Sequence, residues 1–163
     1  TLRFYLMYSP KWLFVIPGIA LALLGVLGYA IAMPGLTIRG VTFDVHTLLF
    51  ASLAVLCGYQ SVTFAIFSKA FAVSQGLMPE DPRLAKFFQV MNLERGLVLA
   101  GVGMFVGVGL LLAAVWQWWQ AEFGPLDYER TMRLVIPGSM LTALGFQTVL
   151  SSFFASILGM RRK

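Results

Sequence analysis

The sequence predicts an all-α membrane protein: four transmembrane helices in two hairpins, with a short interfacial amphipathic helix between the second and third. Three observations predict it. Apolar residues make up 59% of the 163 and charged residues only 12%, against about 45–50% and about 25% in a typical soluble domain. Four apolar stretches each reach the roughly 20 residues that a helix needs to cross the hydrocarbon core. Those stretches are continuous rather than alternating, so they fit helices and not the strands of a barrel.

The first span covers about residues 12–33, from Trp12 to Met33, and stops at Pro34-Gly35. The loop that follows, Gly35–Thr47, has β-branched residues around Gly40 and suggests a short hairpin. The second span covers 45–76, with Asp44 as its N-cap and Gly76 as its end, and is long enough to project past the bilayer. The third covers 93–119, capped by Asn92, and the fourth covers 128–160, capped by Asp127. Pro17 and Pro137 are placed in the first turns of their spans, where a missing N–H costs least. Between spans two and three, Asp81 reads as an N-cap with Pro82 at the first helical position. Leu84, Phe87, Phe88 and Met91 then follow at i, i+3, i+4 and i+7. This predicts a helix from Asp81 to Met91 lying in the membrane interface, its stripe dipping into the acyl region; a solvated loop is the plainer alternative.

Charge sets the expected orientation. Arg3, Lys11, Lys69, Arg83, Lys86, Arg95, Arg161, Arg162 and Lys163 fall on one side of the four spans, and Arg39, Arg130 and Arg133 on the other. The positive-inside rule assigns the richer side, with both termini, to the cytoplasm. Trp116, Trp118 and Trp119 mark one membrane boundary, and Tyr5, Tyr8 and Trp12 the other. The net charge of +5 is dispersed beside apolar runs, which speaks for a membrane surface and against nucleic acid.

The sequence holds little catalytic chemistry. It has no nucleotide-binding glycine loop, no nucleophile elbow, no zinc-protease helix and no paired-acid motif for a metal–nucleotide. No catalytic residue and no metal ligand is assigned. His46, two residues from Asp44, reads as a polar cap, because i and i+2 do not share a helix face. Cys57, the single cysteine, reads as a small buried residue. No Asp, Glu, Lys or Arg lies mid-span, which argues against a proton relay.

The mid-span polar residues are Gln60, Ser61 and Thr63 in span two, and Gln147, Thr148, Ser151 and Ser152 in span four. Gly58–Val62 (GYQSV) echoes Gly145–Val149 (GFQTV), which suggests two related hairpins. From this echo, spans two and four are expected to pack through Gly58/Gln60 and Gly145/Gln147, with the glutamines as packing polar groups; a permeation path is the other reading. Gly101, Gly103, Gly107 and Gly109 of span three read as packing faces. The strongest binding candidate is the basic interface, where Arg3, Lys11, Arg83, Lys86 and Arg95 would hold a lipid phosphate. The same residues would equally serve as topology determinants alone.

The runs Arg3–Gly18, Phe43–Gln60, Pro79–Gly96 and Arg133–Lys163 together resemble the C-terminal membrane region of bacterial family 2 glycosyltransferases similar to dolichol- and polyprenyl-phosphate sugar synthases. The resemblance covers nearly the whole chain. It implies a parent enzyme that transfers a sugar from a nucleotide sugar to polyprenyl phosphate in the inner membrane. In that parent a cytoplasmic catalytic domain with a divalent metal precedes the helices. That domain is absent from these 163 residues, which form a single transmembrane domain, so the chain by itself is expected to transfer no sugar. It is expected to serve as membrane anchor and acceptor-lipid platform, with membrane lipid and the catalytic domain as partners. Two alternatives remain open: a small transporter or flippase for lipid-linked sugars, which needs a wide hydrated cavity lined by Gln60 and Gln147, and an assembly module that forms a homo-oligomer through its glycine faces.

Overall fold

A computed structural model describes residues 11–160 of the protein. A π-helical turn, Lys11–Val15, leads into α1, Ile16–Ala32. The proline ring of Pro17 would press on the carbonyl four residues earlier, and a wider turn just ahead of it relieves that crowding. Pro34 and Gly35 end the helix, with Gly35 at φ +70°.

Strands β1 (Thr37–Ile38) and β2 (Val41–Thr42) then pair antiparallel, Thr37 opposite Thr42 and Ile38 opposite Val41. Their two-residue turn, Arg39-Gly40, has φ +51° and +82°, the pair of positive angles that a type I′ hairpin requires. Helix α2 spans Val45–Ser74, α3 spans Pro82–Val90, α4 spans Leu93–Gln120 and α5 spans Tyr128–Met160.

The caps follow the sequence. Asp44, Asp81 and Asn92 accept the backbone N–H groups of His46, Arg83 and Arg95 at 2.9–3.0 Å, and Asp127 accepts that of Arg130 at 3.4 Å. Three expectations need correction. Pro137 lies nine residues past Tyr128, inside α5 rather than in its first turns; the helix begins in the polar stretch before the apolar run. His46 does reach Asp44, with Nδ1 3.0 Å from Oδ2, because Asp44 stands outside the helix on extended backbone, where the i, i+2 face rule does not hold. Cys57 is exposed rather than buried.

Four helices, α1 with its π turn, α2, α4 and α5, are long and apolar enough to span a bilayer. Only 11–22% of the most apolar window of each is buried inside the protein, and large side chains such as Phe105 (84% exposed) and Phe50 (71%) point outward. Such a surface is stable only against lipid. The protein is a multi-pass membrane protein.

The helices form two hairpins, α1 with α2 and α4 with α5, joined along a seam between α2 and α5. Within each hairpin a glycine brings two backbones together. A Cβ on Gly58 would lie 2.5 Å from the Gly18 carbonyl oxygen and 2.6 Å from the Ala22 nitrogen. One on Gly145 would lie 2.9 Å from the Ala100 carbonyl oxygen. The two echo segments thus play matching parts, but their glycines face α1 and α4, not each other as expected. Of the span-three glycines, Gly107 packs on Gly138 and Thr142 of α5, and Gly103 only grazes it. Gly101 and Gly109 face open space, on other sides of the helix.

Candidate functional site

The α2–α5 seam closes at both ends. At the end with the β-hairpin, Ala32, Val45, Leu48 and Ile136 form a buried cluster. Arg133 of α5 donates from Nη1 to the carbonyls of Met33 and Ala32 (the latter at 3.4 Å). A cation there satisfies the Met33 carbonyl, adds to the bond that the Ala32 carbonyl already accepts from the Gly35 N–H, and meets the negative dipole at the C-terminal end of α1. Tyr29 and Ser52 tie the same hairpin, their oxygens 2.5 Å apart. The Ser52 hydrogen is spent on the Leu48 carbonyl, so Tyr29 donates.

At the other end α3 docks on the bundle. Leu84 is buried with Ala70 of α2 and Leu158 of α5, and Phe88 packs beside them. Phe87 remains 39% exposed. The amphipathic stripe therefore divides: Leu84 and Phe88 seat against protein, where all four residues were expected to dip into acyl chains. The sequence could show that the stripe is apolar, but not that the bundle reaches it first.

An ion pair fixes α3 to α2. Lys69 Nζ donates to Asp81 Oδ2 while the other Asp81 oxygen caps the helix. The hydrogen bond from Lys69, and then the backbone N–H of Arg83, hold the Asp81 carboxyl below its ordinary value. The His46 side chain likewise lowers the Asp44 carboxyl.

Lys69, Asp81 and Arg83 line one groove of about 560 Å³ with Lys11, over an apolar floor of Trp12, Ile66, Leu84 and Phe87. Of the basic residues expected at a lipid phosphate, the structure brings Lys11 and Arg83 together. Lys86 is exposed and does not line the groove. Arg95 donates Nη1 to the Val90 carbonyl at 3.0 Å, closing the end of α3. Arg3 lies outside the described residues, as do Tyr5 and Tyr8. Lys69 was not among the residues expected in this groove, since it falls in the last turns of an apolar span and meets Asp81 only where the chain folds back. Among the described residues no three His, Cys, Asp or Glu side chains converge as a metal site.

Between its closed ends the seam is bordered by a furrow. The expected α2–α5 packing exists, but through other residues: Tyr59 donates to Thr148 Oγ1 at 2.7 Å, since Thr148 gives its own hydrogen to Leu144. Phe67 and Phe154 meet edge to face, centroids 5.0 Å apart. Beside these contacts lies a furrow of about 670 Å³ whose lining includes Gln60, Ser61, Thr63, Gln147 and Ser151. A narrower cavity of about 250 Å³ shares Tyr59, Thr63, Phe67 and Ser151 with it and extends beneath Phe87 of α3. The glutamines line the gap and not the packed seam.

Comparison with known proteins is consistent with this architecture. The chain is 32% identical, over 96% of its length, to the low-salt glycan biosynthesis hexosyltransferase Agl6 of the archaeon Haloferax volcanii. It spans 37% of the length of that relative. The resemblance is thus not confined to bacteria. No solved structure matches. Residues 66–159, which run from the foot of α2 through α3 to the end of α5, match the C-terminal transmembrane region of glycosyltransferase family 2. With more than half its residues inside that match, and two helical hairpins bracing an interfacial helix, the chain belongs to the family 2 glycosyltransferases as part of their membrane region.

Proposed function

We propose that this membrane region anchors a glycosyltransferase of glycan biosynthesis and presents its acceptor, polyprenyl phosphate, to a nucleotide-sugar-dependent catalytic domain on the cytoplasmic side. The observation that carries the reading is the groove of Lys11, Lys69 and Arg83, three cations against the single Asp81 carboxylate over an apolar floor. That is the shape of an amphiphile with an anionic head. An ammonium has three donors, so Lys69 keeps two for a phosphate while it holds Asp81, and the Arg83 guanidinium adds a planar fork. Hydrophobic anchoring of the tail reduces the search for the acceptor to two dimensions and fixes the depth of its phosphate. The divalent metal of such transfer would belong to the catalytic domain; the described residues of this chain offer no set to hold it. The distribution of Lys and Arg supports an orientation with the α3 side facing the cytoplasm, and the family resemblance supports the plasma membrane as its location.

The test is steady-state kinetics of the intact enzyme with polyprenyl phosphate. Each basic residue near an anionic surface contributes about 1 kcal/mol, roughly fivefold in binding. Lys69→Gln with Arg83→Gln should raise KM for polyprenyl phosphate by an order of magnitude or more, with KM for the nucleotide sugar unchanged. Lys86→Gln should give a smaller rise. An unchanged acceptor KM in the double variant would leave the groove's cations as topology signals only.

A further inference from the structure

We infer that the furrow between α2 and α5 is a second binding site, within the bilayer, for the hydroxylated head group of a lipid-linked sugar. The inference starts from an imbalance of hydrogen bonds. Ser52, Thr142, Thr148 and Ser152 each return their hydroxyl to the carbonyl four residues back, at 2.7–2.9 Å. This is how a hydroxyl is ordinarily satisfied in a membrane helix. Gln60, Ser61, Thr63, Gln147 and Ser151 make no side-chain hydrogen bond among the described residues, and all of them line the furrow. Gln147 Oε1 is buried without a partner. An amide or hydroxyl left bare toward hydrocarbon is costly, so a lipid tail is the wrong occupant for this stretch.

Position and composition narrow the ligand. Gln60 lies nine residues before Lys69, roughly 14 Å along α2 at 1.5 Å per residue, so the furrow lies deep to the cationic groove. Phe67 and Phe87 stand along the path between them. Two amides and three hydroxyls of neutral charge do not suit a phosphate or a metal. They do suit a polyol, since an amide both donates and accepts and so matches vicinal hydroxyls. The rings of Phe14, Phe64 and Phe154 on the same walls offer faces to the apolar C–H side of a sugar. A volume of about 670 Å³ is within the range of ligand pockets, about 300–1,000 Å³. The site does not depend on the acceptor reading, because its ligand is the sugar and not the phosphate.

The test uses the intact enzyme in lipid nanodiscs with Ser151→Cys on a Cys57→Ala background. N-ethylmaleimide reacts with the thiolate, which forms only where water reaches. Labelling should proceed, and a ten-carbon prenyl phosphoryl glucose should slow it at least fivefold. The same prenyl phosphate without sugar should slow it less than twofold. Adding Gln60→Leu and Gln147→Leu should abolish the protection by the glucosyl lipid. If the double change impairs folding, Gln60→Leu alone, at an exposed position, should at least halve it. Three results would each overturn the inference: no labelling of the cysteine, equal protection by the lipid without sugar, or protection that survives loss of the glutamine amides. Loss of the Lys69 and Arg83 charges should weaken both lipids alike, which separates failure of the cationic groove from failure of the furrow.

Discussion

Replacing Gly58 by alanine tests the central packing contact of the first hairpin against an internal control. The added Cβ would stand 2.5 Å from the Gly18 carbonyl oxygen and 2.6 Å from the Ala22 nitrogen, where ordinary contact begins at 3.4 Å. Both obstacles are backbone, so no rotamer change relieves them, and α1 must retreat from α2 by about 0.9 Å. Overpacking of a close-packed interface costs about 1–3 kcal/mol. The retreat also loosens the contact of Gly25 with Ala51 and Val55 two turns away, so the upper half of that range is expected. Gly109→Ala adds the same methyl to a spanning helix where nothing lies within 4 Å. There the higher helix propensity of alanine, up to about 1 kcal/mol, is the only change. Thermal or denaturant unfolding in bicelles should therefore show Gly58→Ala destabilised by about 2–3 kcal/mol and Gly109→Ala neutral or slightly stabilised. Gly145→Ala, whose Cβ would meet Ala100 backbone at 2.9 Å, should fall between them. Equal effects at Gly58 and Gly109 would refute the argument that close backbone approach holds this hairpin.

Three further outcomes are expected. Tyr59→Phe should destabilise the seam by about 0.6 kcal/mol and Thr148→Val by at least as much, since it also loses the hydroxyl's bond to the Leu144 carbonyl. The double variant should lose no more than Thr148→Val alone, because the two share the hydrogen bond across the seam, and additive losses in the same unfolding assay would contradict this. Docking of α3, read by hydrogen exchange at the Arg83 amide, should be insensitive to pH from 7 to 5. The Asp81 carboxyl is held below its ordinary 3.8, so its contribution is complete above that value and fades only as pH falls through the depressed one. Asp81→Asn should keep the cap, since asparagine caps well, but lose the tie to Lys69, so its exchange should be faster than in the native protein and slower than in Asp81→Ala; exchange as slow as in the native protein would count against a separate role for that ion pair. On a Cys57→Ala background, Arg39→Cys and Lys86→Cys should label from opposite faces of oriented vesicles, with Lys86→Cys on the cytoplasmic side. Labelling of both from one face would overturn the four-span topology.

Much of this protein is written in local sequence. Lipid satisfies apolar side chains but no backbone group, so an unbroken apolar run must become a helix wherever its neighbours lie. The lengths of the four spans therefore follow from composition. Asp44, Asp81, Asn92 and Asp127 act within three residues of themselves, and the Arg39-Gly40 turn within two; such features need no tertiary information. The facing of each helix was not legible. In water a polar face marks the outside of a helix, but in lipid the outward and inward faces are both apolar, and no periodicity tells them apart. Gly58 was accordingly matched with Gly145 by likeness, while the structure turns each glycine toward its own hairpin partner. The same blindness hid Lys69, whose worth depends on α3 folding back across the foot of α2 to bring Asp81 and Arg83 beside it. Only the tertiary structure decided that Gln60 and Gln147 border a gap rather than a contact. Close glycine packing holds each hairpin together, and the buried clusters at its two ends close the α2–α5 seam; between those ends Tyr59 and Thr148 make the contact across it, and because one residue along a helix turns about 100° round its axis, the neighbouring Gln60 and Gln147 face the furrow beside that contact.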